Sequence, residues 1–174
     1  QSLKNKPILG ICNGAQILVE SGLLGSEDAL DQIIDYNYVD NRKIGFLSDW
    51  GFLSPFNPKA NYFLKHFNTN DILPIQICHG EGRFLFETPP TSGLKYTTID
   101  GNESGQFPET PNGSTENMAA ISNMSGNILA IMPHPERSLS KHRYPLSIQT
   151  YARKNNLKLV DFSHLFHAFK DSGL

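Results

Sequence analysis

The stretch Ile8-Leu9-Gly10-Ile11-Cys12-Asn13-Gly14-Ala15-Gln16-Ile17-Leu18-Val19-Glu20 decides how the rest of the chain is read. Ile8 to Ile11 is a short apolar run, and Ala15 to Glu20 has the composition of a helix. Strand, sharp turn and helix in that order put Cys12 at the apex. A nucleophile in such a turn takes a strained backbone conformation, and its neighbours must be small because the chain doubles back closely. The following helix would turn its N-terminal N–H groups and positive dipole end toward the sulfur, which favours the thiolate. The competing reading is a buried free cysteine that happens to lie between two glycines. The strand–helix context favours the nucleophile, because Gly-x-Cys-x-Gly is the cysteine form of the serine hydrolase elbow.

With 174 residues, the chain is expected to form one domain, 1–174, with a substantial core. Apolar content of 39%, charged content of 18% and a net charge of −2 describe an ordinary soluble chain. Mild acidity without a basic run argues against a nucleic-acid partner. No segment approaches the roughly 18 apolar residues of a membrane helix. Cys12 and Cys78 have no Cys-x-x-Cys spacing, which suits a reducing, cytoplasmic setting better than a disulfide scaffold. Three Asn-x-Ser sequences, at Asn102, Asn112 and Asn123, are read as chance in an Asn- and Ser-rich chain rather than as glycan acceptors. The chain starts at Gln1 and enters the nucleophile strand almost at once, so a preceding segment is expected.

Strands and helices alternate along the chain, which points to an α/β fold. A short helix is expected from Ser26 to Ile34, strand pairs within Asp40 to Leu53, and a helix from Lys59 to Phe67. Leu73 to Cys78, Phe84 to Phe86 and Leu94 to Ile99 read as strands, and 101–116 as a long loop. Met118–Ile121 and Asn127–Met132 read as a strand pair around Ser125-Gly126. Tyr144–Lys154 and Asp161–Lys170 close the chain as helices.

A cysteine nucleophile needs an imidazole, and the imidazole needs an orienting acceptor. Two His-x-Glu pairs are available, His79-Gly80-Glu81 and His134-Pro135-Glu136. In extended chain, residues i and i+2 share a face, so either glutamate could lie beside its ring. Proline separates the two candidates. Met132 and His134 each precede a proline and are biased toward extended backbone, and Pro133 and Pro135 have fixed φ. His134 is therefore the preferred base, whereas His79 sits in a glycine-rich turn. His164 and His167, three apart, lack further ligands at a fitting spacing and read as surface or packing residues, so no metal site is assigned. Cys78 reads as a core thiol.

Cysteine, histidine and glutamate in this order resemble the class I glutamine amidotransferases. Four blocks carry the likeness: LGICNGAQILVESGLL (Leu9–Leu24), CHGEGRF (Cys78–Phe84), PNGS (Pro111–Ser114) and GNILAIMPHPERS (Gly126–Ser138). Within that family the chain looks most like the glutaminase subunits of phosphoribosylformylglycinamidine synthase, from purine biosynthesis. The resemblance implies a flavodoxin-like, mostly parallel sheet flanked by helices, here without its first βα units and covering about the C-terminal two-thirds of such a subunit. It implies a triad of Cys12, His134 and Glu136, with Gln16 touching substrate glutamine. The Asn13 backbone N–H, just after the nucleophile, is one expected oxyanion donor. His79 and Arg83 are left to the pocket wall or a subunit contact.

The function implied is hydrolysis of glutamine, with ammonia passed to a partner that makes formylglycinamidine ribonucleotide. No Walker-type loop is present, so ATP and magnesium are expected on a synthase large subunit, which a small accessory subunit would join. No metal or organic cofactor is expected in this chain. Two alternatives stay open: a catalytically silent fragment kept for subunit contact, and a cysteine hydrolase acting on γ-glutamyl substrates.

Overall fold

Strand β10 (Ile128–Ile131) is buried along its whole length, and its side chains divide between two cores. Ile128 and Ala130 belong with Met132 to one core, and Leu129 and Ile131 to the other. A run with no polar residue suits a strand covered on both faces. The computed structural model describes residues 6–24, 32–40 and 42–171. Helix α1 (Asn13–Glu20) contributes Ala15, Leu18 and Val19 to the first core. Helix α3 (Ser163–Asp171) contributes Leu165 and Ala168 to the second, with Phe162 just before it. Helix α2 (Leu146–Lys154) joins Ile148 and Ala152 to a third cluster, against which Trp50 and Phe52 pack. The molecule is thus a layered α/β fold.

The central sheet has six strands: β1 (Ile8–Ile11), β10, β9 (Met118–Ser122), β8 (Gly93–Thr97), β5 (Leu47–Phe56) and β6 (Leu73–His79), in that spatial order. Of the mostly parallel sheet expected, the main sheet has one parallel ladder, between β1 and β10, with Ile8 opposite Ile128 and Ile11 opposite Ile131. The other four ladders are antiparallel. Antiparallel neighbours can be joined by a tight turn, whereas parallel ones need a crossover. The β9–β10 connection is such a turn, as expected around Ser125-Gly126. Gly126 has φ +71, and a Cβ there would lie 2.0 Å from the Ala60 carbonyl oxygen, so only glycine fits. Outside the main sheet, β2 (Gln32–Tyr36) pairs with β7 (Glu81–Phe86), and β3 (Tyr38–Val39) with β4 (Arg42–Lys43).

The sheet curls. His134 N–H, just past β10, donates to the Gln76 carbonyl on β6 at 3.0 Å, although β6 is the far edge of the strand order. Two local expectations are corrected. Residues 32–34, read as the end of a helix, are strand, because β7 supplies a ladder for them; residues 26–31 of that expectation lie outside the described residues. Residues 59–67 form a short 3-10 turn (Pro58–Ala60) followed by turns instead of an α-helix. There Asn57 is left-handed, and the Asn61 side chain accepts the Phe63 and Leu64 N–H groups, diverting them from a helical ladder.

Candidate active site

Cys12 stands between β1 and α1 with φ 52 and ψ −111, a conformation that L-residues rarely adopt. It is held from both sides. Its N–H donates to Ile131 O at 2.9 Å, and its carbonyl accepts Ala15 N–H and Gln16 N–H at 2.9 and 3.2 Å. Gly10 is indispensable to this turn, since a Cβ there would lie 2.6 Å from the Gly14 carbonyl oxygen and 2.4 Å from Leu18. A Cβ on Gly14 would meet nothing within 4 Å, so the requirement for small neighbours falls on one glycine of the pair.

Parallel pairing brings the second predicted residue to the same sheet end. Cys12 follows Ile11, and His134 lies three positions beyond Ile131, the partner of Ile11. His134 Nδ1 is 2.7 Å from Glu136 Oε1. Pro133 and Pro135 flank the histidine, whose φ of −104 and ψ of 84 suit a residue before proline. Its main chain is fixed by the bond to Gln76 and by Arg137 N–H, which donates to His134 O at 3.2 Å. The histidine side chain is mostly shielded, at 15% exposure, and Glu136 is more open. Arg137 Nε lies 3.6 Å from the same Glu136 oxygen that faces the ring.

Electrostatics modify the expectation about the sulfur. Burial is the largest influence and pushes the Cys12 thiol above its ordinary value; Cys78 and the Glu136 carboxylate push the same way. The Asn13 backbone N–H, hydrogen-bonded to Cys12, and the Arg137 charge pull it down without prevailing. In this chain the helix N-terminus does not by itself yield a preformed thiolate.

The remaining predicted residues converge on the turn between β6 and β7. His79 is 3% exposed, and neither ring nitrogen has a hydrogen-bond partner among the described residues. Burial, and next the nearby His134, lowers its pKa to about 4, so the ring is neutral. Four successive carbonyls of this turn each accept a bond. His79 O takes Asn37 Nδ2 at 2.9 Å, Gly80 O takes Asn37 N–H at 3.1 Å, Glu81 O takes Gln16 Nε2 at 3.0 Å, and Gly82 O takes Asn112 Nδ2 at 2.7 Å. Arg83 Nε donates to Gly113 O at 3.0 Å, and its guanidinium lies over the Tyr38 ring. The CHGEGRF and PNGS blocks are therefore one unit, and Gln16 ties α1 to it. Asn37 and Gln76 were missed in the sequence, since nothing near either residue signals a contact. Asn112 was visible only as part of a motif. His164 packs edge-on against Phe67 and His167, and Cys78 lies within electrostatic reach of Cys12.

A family model described as a CobB/CobQ-like glutamine amidotransferase domain matches residues 3–169. The chain belongs to this family. Among curated relatives, it is 37% identical over 146 residues to "Phosphoribosylformylglycinamidine synthase subunit PurQ" of Chlorobium luteolum, a match that takes in 79% of this chain and 58% of that protein. It is 33% identical over 162 residues to the protein of the same name from Methanothrix thermoacetophila, covering 83% and 61%. The chain thus spans less than two thirds of the length of these relatives. A solved structure, "Structure of PurLQS from Thermotoga maritima", superposes with a TM-score of 0.67 over 99% of this chain and 65% of that one, at 24% identity. That likeness shows that the glutamine amidotransferase family member shares its fold with a chain of that structure. Among the described residues no helix is long and apolar enough to cross a membrane.

Proposed function

We propose that the chain is the glutaminase part of a phosphoribosylformylglycinamidine synthase. The observation that carries this reading is a strained cysteine elbow at the same sheet end as a proline-clamped histidine bonded to a glutamate. In the mechanism, His134 takes the Cys12 proton as the sulfur attacks the side-chain carboxamide of glutamine. This route suits a thiol whose burial keeps it protonated. Glu136 Oε1 holds the Nδ1–H tautomer, leaving Nε2 for the proton. The Asn13 N–H donates to the carboxamide oxygen as it gains charge. His134 then protonates the departing ammonia. A γ-glutamyl thioester remains on Cys12, and water activated by His134 releases glutamate.

Ammonia loses its nucleophilicity when protonated in water, so the product needs a shielded route to an acceptor. This is why the proposal includes a synthase large subunit and a small accessory subunit, with ATP and magnesium on the large one, in the cytoplasm. Gln16 is assigned to the glutamine pocket through the turn it holds, with His79 and Arg83 in the pocket wall.

The test is to treat the chain with its synthase partner with a glutamine-analogue electrophile and to find the labelled residue by mass spectrometry. Labelling at Cys12, blocked by excess glutamine and absent in Cys12→Ser, is the expected result. Labelling by a simple alkylator but not by the analogue would reject the glutaminase reading and favour a γ-glutamyl hydrolase or a silent subunit.

A further inference from the structure

Beside the β5–β8 ladder lies a cavity of ≈ 380 Å³ with none of the residues assigned to glutamine hydrolysis in its wall. The register places Thr97 opposite Phe52, and directly opposed residues share a face. With a period of two, Trp50 falls on that face as well, and Ile99, in the turn just after β8, packs with Trp50 and Phe52 against the same cluster. All four line the cavity, and Phe107 comes from the long loop to close it. Its walls are therefore largely aromatic and aliphatic.

Its charges are all of one sign. Asp49, Asp100 and Glu109 line it, and no lysine or arginine does. Among the described residues none of these carboxylates has an ion-pair partner. Asp100 accepts the Tyr151 hydroxyl at 3.2 Å, Asp49 accepts the Trp50 N–H at 2.7 Å, and Glu109 accepts the Ser104 hydroxyl at 3.5 Å. A second observation is independent of the acids. Thr97 is 1% exposed, and among the described residues its Oγ1 has no hydrogen-bond partner. A buried hydroxyl left unpaired is costly and is satisfied when a polar ligand group reaches it.

We propose that this cavity binds a small organic cation: an ammonium or guanidinium carried on a short apolar stem. The carboxylates select the charge, the indole face of Trp50 adds cation–π attraction, and Phe52 and Ile99 take the stem. Thr97 Oγ1 pairs with a polar group of the ligand. The volume falls within the range of small-molecule sites. Amino acids are disfavoured, because their own carboxylate would face three others. This site stands independently of the glutaminase reading.

Trp50 is the single tryptophan of the chain, so its emission reads the cavity directly. The experiment titrates the 174-residue chain with agmatine, using arginine and neutral butylurea as comparators. A saturable change with agmatine at a Kd below about 1 mM is expected, with arginine at least about tenfold weaker and butylurea silent. Asp100→Asn combined with Glu109→Gln is expected to weaken agmatine at least about tenfold. Thr97→Val is expected to weaken it and Thr97→Ser to retain it, while circular dichroism confirms the fold of each variant. No saturable response to agmatine by about 10 mM, an equal response to butylurea, or unchanged binding in the double variant would overturn the proposal.

Discussion

At Cys12 the chemistry turns on which neighbours move the thiol, and in which direction. Glu136 raises its pKa and Arg137 lowers it. Arg137→Gln should therefore move the pH midpoint of Cys12 alkylation up, and Glu136→Gln should move it down. Site-resolved mass spectrometry separates Cys12 from Cys78, and wild-type profiles in both variants would contradict this electrostatic account. His79 gives a prediction about stability. Its folded pKa is about 4 against an ordinary 6.5. Below pH 6.5 the unfolded chain takes up a proton that the folded chain refuses until about pH 4. The stability linked to the neutral ring is therefore complete above 6.5 and is lost as the pH falls toward 4. From the size of the shift, about 3 kcal/mol is at stake. Urea midpoints of wild type and His79→Leu should converge or cross between pH 7 and 4.5; parallel curves would count against the assignment.

At the scale of elements, two glycines on either side of the site predict opposite responses to the same substitution. Gly82→Ala would put a Cβ 2.3 Å from His79 Nδ1, and such overpacking costs about 1–3 kcal/mol. Gly14→Ala has open space inside α1, where alanine is favoured over glycine by about 1 kcal/mol. Thermal melts of the two variants check the pair of signs. Asn112→Asp keeps an acceptor for Ser114 but loses the donor to Gly82 O, leaving a buried carbonyl unpaired at a cost of about 1–3 kcal/mol. Glutamine-analogue labelling of Cys12 should fall in that variant more than labelling by a small alkylator, if the turn forms the pocket wall. The same elements show what could be read from sequence. The elbow, the β9–β10 hairpin, the two closing helices and the proline-clamped His134 were legible, because each is specified by residues within a few positions. The 59–67 segment was not, since its helical spacing is overridden by the Asn61 side chain. Strand β2 was not either, since its partner lies about 50 positions away. The docking of PNGS onto HGEGR depends on long-range geometry that neither motif states alone.

In the whole molecule, the candidate site joins its parts across great distances along the chain. Cys12 and His134 come to the same sheet end because β1 pairs with a strand about 120 positions later, and His134 is seated by Gln76 from the other edge of a curled sheet. Loop-closure entropy is met before such contacts return any stabilisation. The β9–β10 hairpin closes a short loop and β5–β6 a longer one over residues 57–72, whereas β1–β10 closes about 120 positions. High contact order of this kind slows folding. During refolding from urea, sheet signal in circular dichroism should therefore recover ahead of Cys12's capacity for analogue labelling, and simultaneous recovery would argue against late closure. The consequence is a safeguard in time. A nascent or half-folded chain has its thiol but not yet His134 at the same sheet end, so on the proposed glutaminase reading it would release no ammonia before its architecture is complete.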